Sequence, residues 1–150
     1  MTLSNLAFKL AVFYHEGQTR ENGVPYITHP IAVAEIAVES VGNLYSEEVI
    51  DIIKAIADLH DVLEDCEKKG ASVQSLKESF KGFARADDVI DAVVCLTKVA
   101  GESYFVYLQR VKANEFARIV KLADLQHNLG DLPPGKRRDK YLLAQYFLLN

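Results

Sequence analysis

Apolar residues in this chain recur at intervals of three and four, and little interrupts them. Between Ser46 and Asp61 the positions Val49, Ile50, Ile53, Ile56 and Ala57 form one stripe, the period of an amphipathic helix. Glycine and proline, the residues that punctuate loops, number only 8 and 4 among 150. No segment carries the alternation of a half-buried strand, so the expected fold is all-α, a helical bundle forming a single domain over residues 1–150. A chain of this length buries a sizeable core and leaves no room for a second catalytic unit.

The same patterning places the helices. A first helix is expected from about Ser4 to His15, with Leu6, Leu10 and Phe13 as its core stripe, followed by a loop from Glu16 to Thr28. Thr28 is the expected cap of a second helix over His29 to Ser40, where Pro30 loses nothing by lacking an N–H, and Gly42 and Asn43 end it. Ser46, Glu47 and Glu48 open a third helix, which leads into His60 and Asp61. Ser72 can cap a short helix ending near Phe80, and Asp87 or a neighbour opens another through Thr97. Further helices are expected over Glu102 to Lys112, Glu115 to Asn128 and Asp139 to Leu149, the last after the Pro133-Pro134-Gly135 break.

Charge and cysteine content exclude several functions. Lysine and arginine total 17 against 21 acidic residues, a formal net charge of −4, which argues against a general nucleic-acid or anionic-membrane binder. Lys54, Asp58 and Lys121 interrupt the most apolar stretches, none of which reaches the length of a membrane helix. The N-terminal residues read as an amphipathic helix and not as a secretory signal, so cytoplasmic residence is the expectation. Cys66 and Cys95 lack C-x-x-C spacing and are taken as reduced thiols.

The chemistry concentrates in Asp58-Leu59-His60-Asp61-Val62-Leu63-Glu64-Asp65, four acids and a histidine at the end of an apolar helix. Buried carboxylates are costly unless paired or bound to a metal. Asp124, in the stripe of Ile119, Val120 and Ala123, is a second carboxylate aimed inward, and His29 stands at the mouth of a helix beside Pro30. Together His29, His60, Asp61 and Asp124 offer two imidazoles and two carboxylates without a thiolate. That set suits Mn²⁺, Fe²⁺, Mg²⁺ or Zn²⁺ and leaves positions for water or a substrate oxygen. Glu64 and Asp65, four residues beyond His60 and Asp61, become candidates for positioning and deprotonating the attacking water. His15 and His127 are expected to make structural hydrogen bonds, Lys136-Arg137-Arg138 to form a solvated charge run, and the aromatics Tyr104, Phe105, Tyr107, Tyr141, Tyr146 and Phe147 to pack helices.

Five ordered motifs carry a resemblance: His15-x-Gly17-Gln18-x-Arg20, Gly23-x-Pro25-Tyr26-Ile27-x-His29-Pro30, Leu59 through Asp65, Leu96-Thr97-Lys98, and Val120-Lys121-Leu122-Ala123-Asp124-x-x-His127-Asn128. On these the chain resembles the HD hydrolase domain of the RelA/SpoT family, especially its stand-alone small alarmone hydrolases, nearly end to end. The resemblance implies a metal, typically Mn²⁺, held by His29, His60, Asp61 and Asp124, with Glu64 and Asp65 working on the water and Arg20 and Asn128 holding the nucleotide. It implies removal of the 3′-pyrophosphate of ppGpp or pppGpp, and no synthetase activity. The partner it implies is a small nucleotide, with neither nucleic acid nor membrane; a homo-oligomer is left open.

Glu21 stands where the family usually has a basic residue after the arginine, and an acid there would repel phosphate. The segment Gly130 to Gly135 also departs from the family pattern. Two other functions are therefore carried forward: the same metal chemistry on a nucleoside monophosphate or NADPH, and a catalytically silent HD module that binds a nucleotide or a protein.

Overall fold

The computed structural model describes residues 1–150 and contains nine α-helices: α1 Leu3–His15, α2 Thr28–Val41, α3 Glu47–Leu59, α4 Val62–Asp65, α5 Val73–Ser79, α6 Ala86–Cys95, α7 Tyr104–Ala113, α8 Glu115–Leu129 and α9 Lys136–Leu149. A single 3₁₀ turn spans Glu67–Lys69. The only strand-like feature is an isolated antiparallel bridge between Thr19 and Pro25, inside the α1–α2 loop. No helix is long and apolar enough to cross a membrane.

Helix α3 is the centre of the bundle, packed against α1, α2, α6 and α8. Its Ile52, Ile53, Ile56 and Leu59 are fully buried, each side chain contributing about 1.5–3 kcal/mol by leaving water. Helix α8 forms the second spine, against α2, α7 and α9. The single core runs through both, from Leu3 to Leu148.

Polar residues set the helix starts. Ser46 Oγ accepts the Val49 N–H at 3.3 Å, Ser103 Oγ accepts from Val106 at 3.1 Å, and Asn114 Oδ1 accepts from Ala117 at 3.0 Å. Ser72 and Ser75 exchange the two bonds of a capping box at α5. Gly42 ends α2 at φ +53°, a conformation favouring glycine.

Several local expectations are corrected. The buried face of α1 is Leu3, Ala7, Ala11 and Tyr14, while Phe13 is 59% exposed and Leu6 and Leu10 only half-buried. Alanines allow α1 to lie close on α3, with Leu6 and Leu10 packed at the edge of the core. Thr28 lies within α2 and does not cap it; its hydroxyl donates to the Pro25 carbonyl at 2.8 Å. Arg85, a neighbour of Asp87 in the left-handed region at φ +64°, precedes α6, which ends at Cys95 and not at Thr97. Helix α9 begins at Lys136, three residues before the expected start. Both cysteines are free thiols, Cys66 buried and Cys95 half-buried.

Asp58, two residues before His60, is 6% exposed and receives no hydrogen bond or ion pair. Burial pushes its carboxyl up to about 7 against the pull of His60 and Lys54.

Candidate metal centre

The end of α3 is where the fold makes its site. The helix stops at Leu59; His60 is still helical, but Asp61 sits at φ −104°, ψ −3°, and a new short helix starts at Val62. In an unbroken helix adjacent side chains point about 100° apart. The break turns both toward one point, His60 Nε2 lying 3.0 Å from Asp61 Oδ2. It also breaks the single-helix relation expected between His60 and Glu64, whereas Asp65 keeps its place one turn after Asp61, its N–H donating to the Asp61 carbonyl at 2.9 Å.

Two further helices complete the cluster. His29, in the first turn of α2, places Nε2 3.8 Å from Asp61 Oδ2. From α8, Asp124 Oδ1 lies 2.8 Å from His29 Nε2 and 3.4 Å from His60 Nε2. The ligand atoms of His29, His60 and Asp61 all fall within 4.8 Å of one another. His29, His60 and Asp124 are buried, and the Asp61 side chain is 19% exposed.

The hydrogen-bond pattern tests whether a cation fits. His60 Nδ1 bonds the Ala57 carbonyl at 2.6 Å, so it carries a proton, and Nε2 is left buried and without a hydrogen bond. An unpartnered nitrogen facing two carboxylates is a pattern that a divalent ion completes. Without one, only a proton balances the charge. Burial pulls the His60 pKa down, but Asp61 and Asp124 outweigh it and hold the imidazole well above 6.5. Burial likewise opposes ionisation of Asp61, yet His60 and the Tyr26 hydroxyl, against repulsion from Asp124, bring it down to about 2.

Each candidate ligand is oriented from behind. Tyr26 donates its hydroxyl to Asp61 Oδ2, and burial followed by the Asp61 charge raises the phenol far above its ordinary range. His127 Nδ1 meets His29 Nδ1 at 2.7 Å, with the rings stacked 4.9 Å apart. Lys121 Nζ donates to Asp124 Oδ2 at 2.9 Å and Asn128 Nδ2 to Asp124 Oδ1 at 3.0 Å. Despite burial, Lys121 and the two histidines keep Asp124 well below the usual carboxylate range. Sequence reading left Tyr26 and Lys121 without roles although both lie in the quoted motifs: Tyr26 is three residues before His29 and Lys121 three before Asp124. Helical spacing was the available signal for Lys121.

The cluster forms the floor of a cavity of about 210 Å³, whose walls include Glu64, Asp65, Lys98, Lys121 and Tyr141. Glu64 accepts the Lys98 backbone N–H at 2.6 Å. Burial, then Asp61 and Glu64, raise the Asp65 carboxyl to about 6 against the pull of His60 and the Tyr26 hydroxyl. Lys98 and Lys121 both stand over the Tyr107 ring, at 5.8 and 5.5 Å, and bring positive charge to this wall.

A wider cleft of about 530 Å³ adjoins the cavity through shared Tyr26, Asn128 and Tyr141. Arg20 lies in it and donates to Asn128 Oδ1 at 3.0 Å, so both expected nucleotide-holding residues meet at the junction. Glu21 lines the same cleft, but Arg137 from α9 grips its two carboxylate oxygens at 3.1 and 3.4 Å. Its expected repulsion of phosphate is thus partly offset. Arg138 donates to the Leu129 and Leu132 carbonyls, each at 3.0 Å. The charge run is therefore built into the structure and is not simply solvated. His15 bonds Gln18 at 2.7 Å and stands outside the ligand cluster.

No family model matches the chain. The guanosine-3′,5′-bis(diphosphate) 3′-pyrophosphohydrolase of Haemophilus influenzae is 36% identical over 139 residues, which take in 83% of this chain and 18% of that protein. The bifunctional (p)ppGpp synthase/hydrolase SpoT of Escherichia coli is 35% identical over 144 residues, 88% of this chain and 19% of its own length. The chain thus spans about a fifth of these relatives. A solved structure described as a metazoan ortholog of SpoT that hydrolyzes ppGpp and plays a role in starvation responses matches with TM-score 0.73 at 26% identity, over 99% of this chain and 84% of that one. Related in sequence over most of its length and in fold over nearly all of it, this chain belongs to the RelA/SpoT family and corresponds to its HD domain.

Proposed function

We propose that residues 1–150 act as a divalent-metal-dependent phosphohydrolase that removes the 3′-pyrophosphate of guanosine 3′,5′-bis(diphosphate) or its triphosphate analogue, giving GDP or GTP plus pyrophosphate. The observation that carries this reading is the convergence of His29, His60, Asp61 and Asp124, with the buried His60 Nε2 facing two carboxylates. These four residues would hold the ion, Mn²⁺ by the family resemblance. A divalent cation there lowers the pKa of water and screens phosphoryl charge. The named activities of the relatives support the substrate class.

The chain's own groups divide the remaining work. Asp65, on the cavity wall with its carboxyl raised to about 6, takes a proton from the water that attacks the 3′-proximal phosphorus. The O3′–P bond breaks, and the departing 3′ oxygen takes up a proton. Glu64, tied to the Lys98 backbone, positions that water. Lys98 and Lys121 balance the charge of the pyrophosphate, while Arg20 and Asn128 hold the nucleoside side in the adjoining cleft. Cytoplasmic residence and a nucleotide as the only obligatory partner belong to the same reading.

Glu21 at the cleft favours a second reading, the same chemistry on a less highly charged nucleotide. Product analysis after incubation with ppGpp, pppGpp, GMP and NADPH, with Mn²⁺ and with chelator, separates the cases. Release of pyrophosphate and GDP from ppGpp, lost with chelator, is expected. Cleavage of GMP or NADPH with ppGpp untouched replaces the substrate, and no turnover of any of them leaves a silent module.

A further inference from the structure

The turn that joins α6 to α7 carries Lys98, which lines the metal cavity and whose backbone N–H is the one that Glu64 accepts. Burial does not hold this turn, since residues 98–101 are all exposed. Side-chain hydrogen bonds hold it instead. Helix α6 ends at Cys95, where the last carbonyls of a helix lack intrahelical partners, and Arg110 from α7 reaches across to them. Its Nη1 donates to the Cys95 carbonyl and its Nη2 to the Thr97 carbonyl, each at 3.1 Å. The same Nη2 donates to Glu102 Oε1 at 2.7 Å, and that oxygen also accepts the Val99 N–H at 3.2 Å. Tyr107, one turn before Arg110, donates its hydroxyl to the Leu96 carbonyl at 3.1 Å. The backbone is thus fastened on both sides of Lys98, while Arg110 itself stays outside the cavity lining.

We propose that Arg110 is a positioning residue for the hydrolysis: by clamping the turn it fixes the Lys98 N–H, and through that N–H the Glu64 carboxylate beside the metal centre. The inference rests on the role given above to Glu64, orienting the attacking water. Glu64 belongs to α4, only four residues long, and a helix that short has little rigidity of its own. Its carboxylate is therefore placed as well as the backbone that holds it. A guanidinium suits the task, because its planar fork serves two carbonyls and a carboxylate at once, which the single donor centre of an ammonium does not. Loosening the turn would let Glu64 drift, and a misplacement of about 1 Å at a reacting centre costs as much as about 10²-fold in rate.

The test is a double-mutant cycle on the full chain, with Mn²⁺ and whichever of ppGpp, GMP or NADPH the wild type cleaves. Arg110→Met is expected to lower kcat by about 10–100-fold, with KM little changed and Mn²⁺ binding intact by calorimetry. Arg110→Lys, which can reach Glu102 but not both carbonyls, should lose less, and it carries the cycle if the methionine variant does not fold. Glu64→Ala removes the carboxylate that the clamp serves. In that background Arg110→Met should cost no more than about twofold further, because the two residues act as a unit. Independently of turnover, the Lys98 amide proton should shift in the NMR spectrum of an Arg110 variant whose core resonances stay in place. If the Arg110 substitution costs as much without Glu64 as with it, if kcat is undiminished, or if the Lys98 amide does not move, the proposal is overturned and the hydrolytic reading stands. A wild type that cleaves none of the nucleotides overturns that reading, and this proposal with it.

Discussion

Metal binding should expel a proton from His60, and the strength of binding should therefore rise with pH. In the metal-free protein the His60 Nε2 faces two carboxylates, at 3.0 and 3.4 Å; burial opposes its protonation, but the two acids win and raise the pKa well above 6.5. The imidazolium thus stabilises the metal-free fold fully below about 6.5, and that contribution is lost as pH climbs through the raised folded value. An ion must displace that proton. Each pH unit below the folded pKa then costs about 1.4 kcal/mol of metal affinity, a factor of ten in Kd. At an ion concentration of about 100 times Kd the bound form gains about 2.7 kcal/mol, which for a domain of this size is a Tm rise of about 5–10 °C. Thermal unfolding with Mn²⁺ or with EDTA, at steps from about pH 6 to about pH 8.5, should show the gap widening as pH rises. Calorimetric titration in buffers of different ionisation enthalpy should count about one proton released per ion over that range. A gap that is constant or narrows with pH, together with no proton release, would refute the reasoning.

Asp65→Asn should leave Mn²⁺ binding intact, slow turnover by about 10²–10⁴-fold, and remove the acidic limb of the kcat profile. That limb is expected at or below the folded value of about 6, because a bound cation draws the carboxyl down; full rate in the variant would reassign the base. Lys121→Met should cost about 3–5 kcal/mol in urea unfolding, the usual penalty for stranding one member of a buried pair, since Lys121 and Asp124 are 12% and 7% exposed. A loss below about 1 kcal/mol, the scale of surface pairs, would show that Asp124 finds its balance elsewhere. Glu21→Lys is expected to lower KM for ppGpp with little change in kcat, and Glu21→Gln, which only releases Arg137, to deliver part of that gain. The effect should shrink as salt rises, and an unchanged KM in both variants would place residue 21 outside the path of the nucleotide.

The helices and the four central residues were legible because both are written in local terms. The stripe Val49 to Ala57 points His60 inward whatever else the chain does, and Asp124 shares the stripe of Val120 and Ala123. What the sequence hid depends on how elements meet. Phe13 looks like core until α1 settles on α3 through Ala7 and Ala11. Glu21 reads as a lone repulsive charge until α9 brings Arg137 across a separation of 116 residues. Helical spacing related Glu64 to His60 only on the premise of one continuous helix, which the turn at Asp61 cancels, whereas Asp65 stays one helical turn from Asp61. The pairing of Tyr26 with Asp61 and of His127 with His29 likewise waits on the packing of α2 against α3 and α8.

The break after Leu59 has a mechanical consequence. It gathers donors from α2, the α3–α4 junction and α8, points separated along the chain by about 30 and about 60 residues. An ion seated there would act as a clasp across the bundle, stapling three elements that no disulfide joins. Slipping it off would loosen α2 and α8 together. Their amides should then exchange with solvent as one cooperative block in the stripped protein, and independently slow segments should appear only in α3, whose Ile52, Ile53 and Ile56 are fully buried.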